Sequence, residues 1–186
     1  MTALELALDA TAVLRPLTVS DAADLHALIL ENRAHLDRWL RWSSGVQSLA
    51  DAEQLIRDFQ GKLARGDGFH LGIRVAGALA GGCVCWYIHR QNRNAEIGYW
   101  LGSRYVGHGL ATRSARAVVD LLFAQEGLHR VEMQCAVDNH ASRAIPERLG
   151  FRLEGVRRES HWITTRFLDH AVYGLLDHEW HRLATP

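Results

Sequence analysis

Apolar positions along the chain switch repeatedly between a period of two and a period near 3.6, so strands and helices alternate. Residues 13–17 read as a short strand, with Pro16 placing it at a sheet edge or strand end. Ser20 is expected to cap a helix with Asp21 and Asp24 in its first turn, running to about Arg33. Leu36, Trp39 and Leu40 give a short second helical face. Ser48-Leu-Ala-Asp51 resembles a capping box and opens a helix through Leu55, Ile56, Phe59 and Leu63 that ends at Gly66. Residues 69–75 alternate as a strand, and Ala76-Gly77 turns the chain into another over residues 79–88. A polar turn at 91–94 leads to the strand that carries Glu96. Residues 111–123 return to the helical period and close at Gly127; 129–137 form a strand, and 139–149 a helix with Gly150 at its C-terminal cap. Residues 151–156 and 171–176 are the remaining strands, joined by a polar stretch containing Trp162, and His178 to His181 reads as the exposed end of the last strand.

The order β-α-α-β-β-β-α-β-α-β-β predicts an α/β (α+β) architecture with a mixed sheet rather than a regular βαβ array. No repeat, linker or low-complexity tract divides the chain, so residues 1–186 are expected to form one domain. Formal net charge is zero with histidine neutral, which leaves no bulk field to recruit nucleic acid or an anionic membrane. The N-terminus lacks a charged-then-apolar pattern and no apolar run approaches bilayer length, so a cytoplasmic protein is expected. Cys83, Cys85 and Cys135 are too few for a disulfide framework and lack partners at zinc spacing. They are expected to be buried small hydrophobes, with no metal bound. His178 and His181 are three apart, not the four of a helical zinc motif.

The chemistry concentrates between Asn94 and Asp120. An alternating strand there runs into Arg104-Tyr105-Val106-Gly107-His108-Gly109 and then straight into a helix opening with Leu110, Ala111 and Thr112. Outward-pointing amides and the helix dipole make such a turn a phosphate cradle, and its glycines accept dihedrals that a Cβ forbids. No Gly-Lys-Ser/Thr follows, so it is not a Walker loop. A Rossmann fingerprint is the runner-up, but it expects an opening βαβ unit, and four strand candidates come first here.

Arg104-x-x-Gly107-x-Gly109 between strand and helix is similar to the acetyl-CoA motif of the GCN5-related N-acetyltransferases. Glu96-Ile-Gly-Tyr-Trp-Leu101, Gly109-Leu-Ala-Thr112, Asn139-x-x-Ser142, Arg148-Leu-Gly-Phe-x-x-Glu-Gly155 and Tyr173-Gly-Leu-Leu-x-x-Glu-Trp180 resemble the RimJ/RimL branch, whose members acetylate ribosomal-protein N-termini. The resemblance implies a mostly antiparallel sheet of about seven strands, flanked by helices and splayed between the fourth and fifth. It places the pantetheine arm in that opening against freed backbone at Trp100 and Leu101. The pyrophosphate would rest on the amides of Tyr105 through Gly109, with Asn139 fixing the pantetheine amides. It implies acetyl-CoA as co-substrate, a protein N-terminus or a small amine (polyamine, amino acid, antibiotic) as acceptor, and a homodimer as an assembly seen among similar proteins. A non-catalytic acyl-CoA sensor is the reading from another class.

Direct acetyl transfer needs a neutral amine, an oxyanion donor and a proton for the leaving thiolate. An α-amino group titrates near ~7.7–8.0, so a modest base suffices, whereas lysine near ~10.4 needs on the order of 4 kcal/mol of help at neutral pH. Glu96 is the candidate base, on the strand feeding the loop, with His70 on a neighbouring strand as a second candidate. The resemblance gives Ser142 the role of donor to the thiolate, and the strand-four backbone that of oxyanion donor. Pro146 departs from the helical pattern: it removes an N–H and crowds the Ser142 carbonyl, at a mid-helix cost of about 3 kcal/mol. Ser142 is therefore expected at the effective start of the helix or at a kink. Trp39 and Trp42, one helical turn apart, are either core residues or a wall of the acceptor pocket.

Overall fold

The computed structural model describes residues 4–184, with side chains through residue 181. One sheet of eight strands organises them: β1 (Leu6–Ala7), β2 (Ala12–Pro16), β3 (Phe69–Val75), β4 (Ala78–His89), β5 (Asn94–Leu101), β6 (Arg130–Ala136), β7 (Arg152–Ile163) and β8 (Arg166–Leu176), in the order β1-β2-β3-β4-β5-β6-β8-β7. Six helices accompany it: α1 (Ala22–Glu31), α2 (Arg33–Leu36), α3 (Leu49–Arg65), α4 (Leu110–Ala124), α5 (His140–Arg148) and α6 (Asp177–Ala184). The sheet has one strand more than expected, because the two-residue β1 is too short to show a period. The expected fourth and fifth strands are thus β5 and β6.

Local chemistry explains most boundaries. At α3, Ser48 Oγ accepts from the Asp51 amide at 3.2 Å while the Asp51 carboxylate accepts from the Ser48 amide at 2.8 Å, and Gly66 closes the helix at φ +70°. Before α1 the cap lies at Thr18 rather than at Ser20. The buried Asp21 carboxylate accepts from the Thr18 amide at 2.8 Å and from Arg15 at 2.7 Å, drawing residues 19–21 into a tight 3₁₀ turn.

The C-terminal third departs most from expectation. The polar stretch around Trp162 is no linker: it extends β7 and β8 into a long hairpin in which Trp162 faces Phe167, ring centres 4.8 Å apart. β7 is an edge strand exposed from Arg152 to Ser160 and broken by two bulges, so its residues do not alternate. The segment with His178 and His181 is helix α6 rather than a strand end. Asp177 and Glu179 lie in its first turn, and its anchor is Trp180, buried, with the indole N–H donating to Asp120 at 2.7 Å.

Two apolar layers sandwich the sheet. Ala95, Ile97 and Leu101 pack on one face with Ala115, Val118 and Leu122 of α4 and Ile145 of α5. Trp100 packs on the other with Leu25 and Ile29 of α1 and Ile56 of α3. All neighbouring strands pair antiparallel except β5 and β6, which pair in parallel over only Asn94–Ile97 against Arg130–Met133. Beyond Ile97 and Met133, β5 stays with β4 and β6 with β8, and the sheet opens between them.

Candidate active site

The opening exposes the β6-facing backbone edge of residues 98–101 and leads to the glycine turn. Gly107 and Gly109 both adopt left-handed dihedrals, φ +90° and +68°, and Gly109 is the N-cap residue of α4. The amides of Tyr105 and Val106, expected to hold phosphate, are instead committed to the carbonyls of Gly102 (2.9 Å) and Ser103 (3.3 Å) in a 3₁₀ turn. Among the described residues, the amides of Gly107, His108, Gly109, Leu110, Ala111 and Thr112 have no partner in the chain. The unpaired donors thus begin two residues nearer the helix than expected, and six in succession at a helix N-terminus fit a pyrophosphate. The Arg104 guanidinium lies 4.9 Å from the Tyr105 ring centre and contributes its backbone to the turn. Arg148 reaches the same helix start from α5, donating to Thr112 Oγ1 at 3.0 Å. Its cationic contribution there was not legible from the motif it belongs to.

Strand alternation sends successive β5 side chains to opposite faces. Glu96, Gly98 and Trp100 face the α1–α3 side. Glu96 accepts from Gln134 Nε2 at 3.0 Å and stands opposite Glu132 in the parallel register. Burial first, and then the Glu132 charge, raise its carboxyl above the usual range, against the Gln134 hydrogen bond. Trp42 packs 5.4 Å from Trp100 on this side, whereas Trp39 packs against Ala136, Ile163 and Leu168. The two tryptophans sit on no common helix, and they line this face from separate clusters.

Tyr99 points to the other face and meets α5. The Tyr99 hydroxyl donates to the Ser142 carbonyl at 2.8 Å, and Ser142 Oγ lies 3.3 Å from both the Tyr99 hydroxyl and Cys135 Sγ. Asn139 is the N-cap residue of α5, its Oδ1 accepting from the Ser142 amide at 3.2 Å. The helix runs through Pro146 without restarting, so Ser142 lies in its first turn. Tyr99 and Cys135 escaped sequence reasoning as members of the site. Their signal was parity: Tyr99 shares a strand face with Ile97, and Cys135 precedes Ser142 by seven residues. Cys83 and Cys85 are fully buried, as expected.

His70 is poorly placed to act as the base. It is buried between Phe59, Trp42 and Trp100, accepts from the Trp100 indole at 3.3 Å, and burial lowers its pKa to about 4. His170, stacked on His161 at 4.6 Å, is lowered to about 4 by burial and then by His161 and Arg157. Both histidines fold neutral, so the stability they confer is complete above pH ~6.5 and is lost as pH falls towards 4. Each adds up to about 1.4 kcal/mol per pH unit to the slope in that window. Urea midpoints at pH 7, 6 and 5 should therefore fall more steeply for the wild type than for His70→Leu; parallel lines would refute the assignment.

The profile of the acetyltransferase (GNAT) domain matches residues 12–152. The chain is 35% identical over 169 residues to the putative ribosomal N-acetyltransferase YdaF of Bacillus subtilis, covering 90% of this chain and 92% of that one. It is 30% identical over 167 residues to the ribosomal-protein-serine acetyltransferase of Escherichia coli, covering 83% and 93%. Among solved structures, the ribosomal L7/L12 α-N-protein acetyltransferase RimL, bound to coenzyme A through a cysteine disulfide, superposes with a TM-score of 0.89 at 28% identity, covering 93% of this chain and 98% of that one. The microcin C7 self-immunity acetyltransferase MccE, in complex with acetyl-CoA and AMP, gives 0.86 at 25%, covering 91% and 94%. With the divergent strands and the unpaired amides, these matches establish that the chain belongs to the GNAT family, on its RimJ/RimL-like branch, and is an acetyl-CoA-dependent N-acetyltransferase.

Proposed function

We propose that the acceptor is the α-amine of a protein, of the ribosomal-protein type, and that Glu96 and Ser142 serve the transfer from opposite faces of the open sheet. The observation that carries this reading is the placement of a half-buried carboxylate on one side of the β5–β6 opening and a helix-held hydroxyl on the other. Acetyl-CoA supplies the activated acetyl thioester. Glu96 takes a proton from the incoming amine, directly or through water, as the new N–C bond forms. Ser142 turns its hydroxyl from the Tyr99 oxygen to give a hydrogen bond to the sulfur as the C–S bond breaks, and the departing thiolate takes its proton from solvent. The freed backbone of residues 98–101 offers donors to the oxyanion and pairs with the pantetheine amides. The amides of residues 107–112 seat the pyrophosphate, and Asn139 orders the start of α5.

The acceptor class draws support from the Escherichia coli and Bacillus subtilis relatives and from the chemistry. A carboxylate raised only by burial and one like charge suits an α-amine better than a lysine. Acetylation of a small amine is the second reading, favoured by the MccE likeness. A cytoplasmic site of action fits these substrates, and no helix among the described residues is long and apolar enough to cross a membrane. A homodimer draws support from Leu153, Val156, Trp162 and Phe167, exposed on the outer hairpin, and light scattering reads it directly.

Free CoA release, followed with serine-initiated peptides, polyamines and aminoglycosides, separates the acceptor readings. Turnover is expected with the peptides, and turnover with only the small amines rejects the protein reading. Ser142→Ala should lower kcat about tenfold, in line with loss of one acid–base or hydrogen-bonding group, with KM for acetyl-CoA within about twofold. An unchanged kcat removes Ser142 from the chemistry.

A further inference from the structure

A proline at helix position 146 has no N–H to give the carbonyl four residues earlier, and that carbonyl belongs to Ser142. Buried carbonyls left without a donor are rare, because each costs about 1–3 kcal/mol. Here the donor comes from outside the helix: the Tyr99 hydroxyl, on β5, lies 2.8 Å from the Ser142 carbonyl oxygen. With its proton committed to the carbonyl, the phenol oxygen is left as an acceptor facing Ser142 Oγ at 3.3 Å. One phenol therefore touches both the backbone and the side chain of the same serine.

We propose that Tyr99 stands in for the amide that Pro146 removes, and that this exchange makes it the positioning residue for Ser142. The inference rests on the role given to Ser142 above. An ordinary helix would satisfy the Ser142 carbonyl internally and leave the serine's height above the sheet to packing alone. With proline at 146, the bond crosses from α5 to β5, the strand whose free edge faces the pantetheine. The serine hydroxyl is thereby indexed to the strand beside the thioester rather than to its own helix. Two other contacts brace the same turn without duplicating this one: Arg143 donates to the Val137 carbonyl at 3.1 Å, and its Nε donates to Tyr173 at 2.9 Å. Neither reaches β5. The Cys135 thiol, 3.3 Å from Ser142 Oγ, bonds the serine side chain and only weakly, so it does not replace the phenol at the carbonyl.

The exchange predicts a non-additive pair. Tyr99→Phe keeps the ring and its packing but strips the carbonyl of its donor. It should lower kcat about tenfold and reduce the melting temperature, with KM for acetyl-CoA within about twofold, measured with a serine-initiated peptide. Pro146→Ala returns an amide at the helical position and should leave kcat within about twofold. In the double variant the restored amide meets the Ser142 carbonyl, so the melting temperature should rise above that of Tyr99→Phe alone, while kcat should stay about tenfold down because the tie to β5 is still missing. A double variant no more stable than Tyr99→Phe overturns the exchange, and a double variant with wild-type kcat overturns the positioning role. A Ser142→Ala enzyme that keeps wild-type kcat overturns the positioning role together with the reading beneath it. That failure is recognisable because the melting-temperature cycle reports the phenol–proline exchange independently of turnover.

Discussion

Gly81→Ala is expected to lose the fold around the β5 edge and, with it, acetyl-CoA binding. A Cβ built on Gly81 meets the Trp100 carbonyl oxygen and lies 2.8 Å from the Leu101 Cα, both on the backbone of the neighbouring strand. No rotamer change relieves such a contact. β4 and β5 must part at the Gly81–Leu101 pair, at the end of β5 whose other edge lines the opening. Substitutions that force backbone apart fall in the tail of mutational effects, above about 4 kcal/mol. For a chain of this size that corresponds to a melting temperature lower by roughly 10 °C or more. Gly45→Ala is the matched control, since nothing lies within 4 Å of the added methyl. Thermal melts with and without acetyl-CoA decide the matter: wild-type stability and a wild-type ligand-induced shift in Gly81→Ala would show that the strands tolerate separation.

The second large effect is on rate. Glu96→Gln preserves shape and a partner for Gln134 but removes the basic oxygen, and kcat with a peptide amine should fall about a hundredfold. The pH dependence carries the sign. Burial and Glu132 raise the carboxyl, so the base is ionised above its raised pKa and activity is lost as pH falls through it. The wild-type profile also contains the acceptor's own titration near ~7.7–8.0, which the variant keeps. Wild type and variant should therefore differ by a limb on the acid side that the variant lacks. Turnover unchanged in the variant across pH 6–9 would dismiss Glu96 and leave water or the substrate's own equilibrium as the proton acceptor.

How far the sequence disclosed this site depends on the range of the interactions. Capping chemistry and glycine turns act within a few residues, so α3, the β3–β4 turn and the left-handed Gly107 and Gly109 were readable. The β7–β8 hairpin was not, because an edge strand exposed on both faces carries no alternation to read. Helix α6 was misread because one buried residue, Trp180, anchors it and gives no period. Glu96 and Ser142 were singled out through family motifs, but their division between two faces follows from strand parity and from where β5 and β6 part. The use of the Tyr105 and Val106 amides within their own turn is a matter of hydrogen-bond geometry that composition cannot show. The proline that looked like a defect in α5 is accommodated by a tyrosine 47 positions away, a contact that only the folded chain brings together.

The four-residue parallel seam between β5 and β6 has one more consequence. An unpaired strand edge ordinarily invites another polypeptide and is a hazard for aggregation. This one lies in the interior of the sheet, with α4 and α5 on one face and the tryptophan-lined clusters on the other. A peptide strand entering there would have to drive alternate side chains into both layers. The β-alanine and cysteamine part of a pantetheine arm brings amides and no side chains. The gap is thus guarded by what must accompany a main chain, so its shape alone favours an unbranched amide chain over a peptide strand.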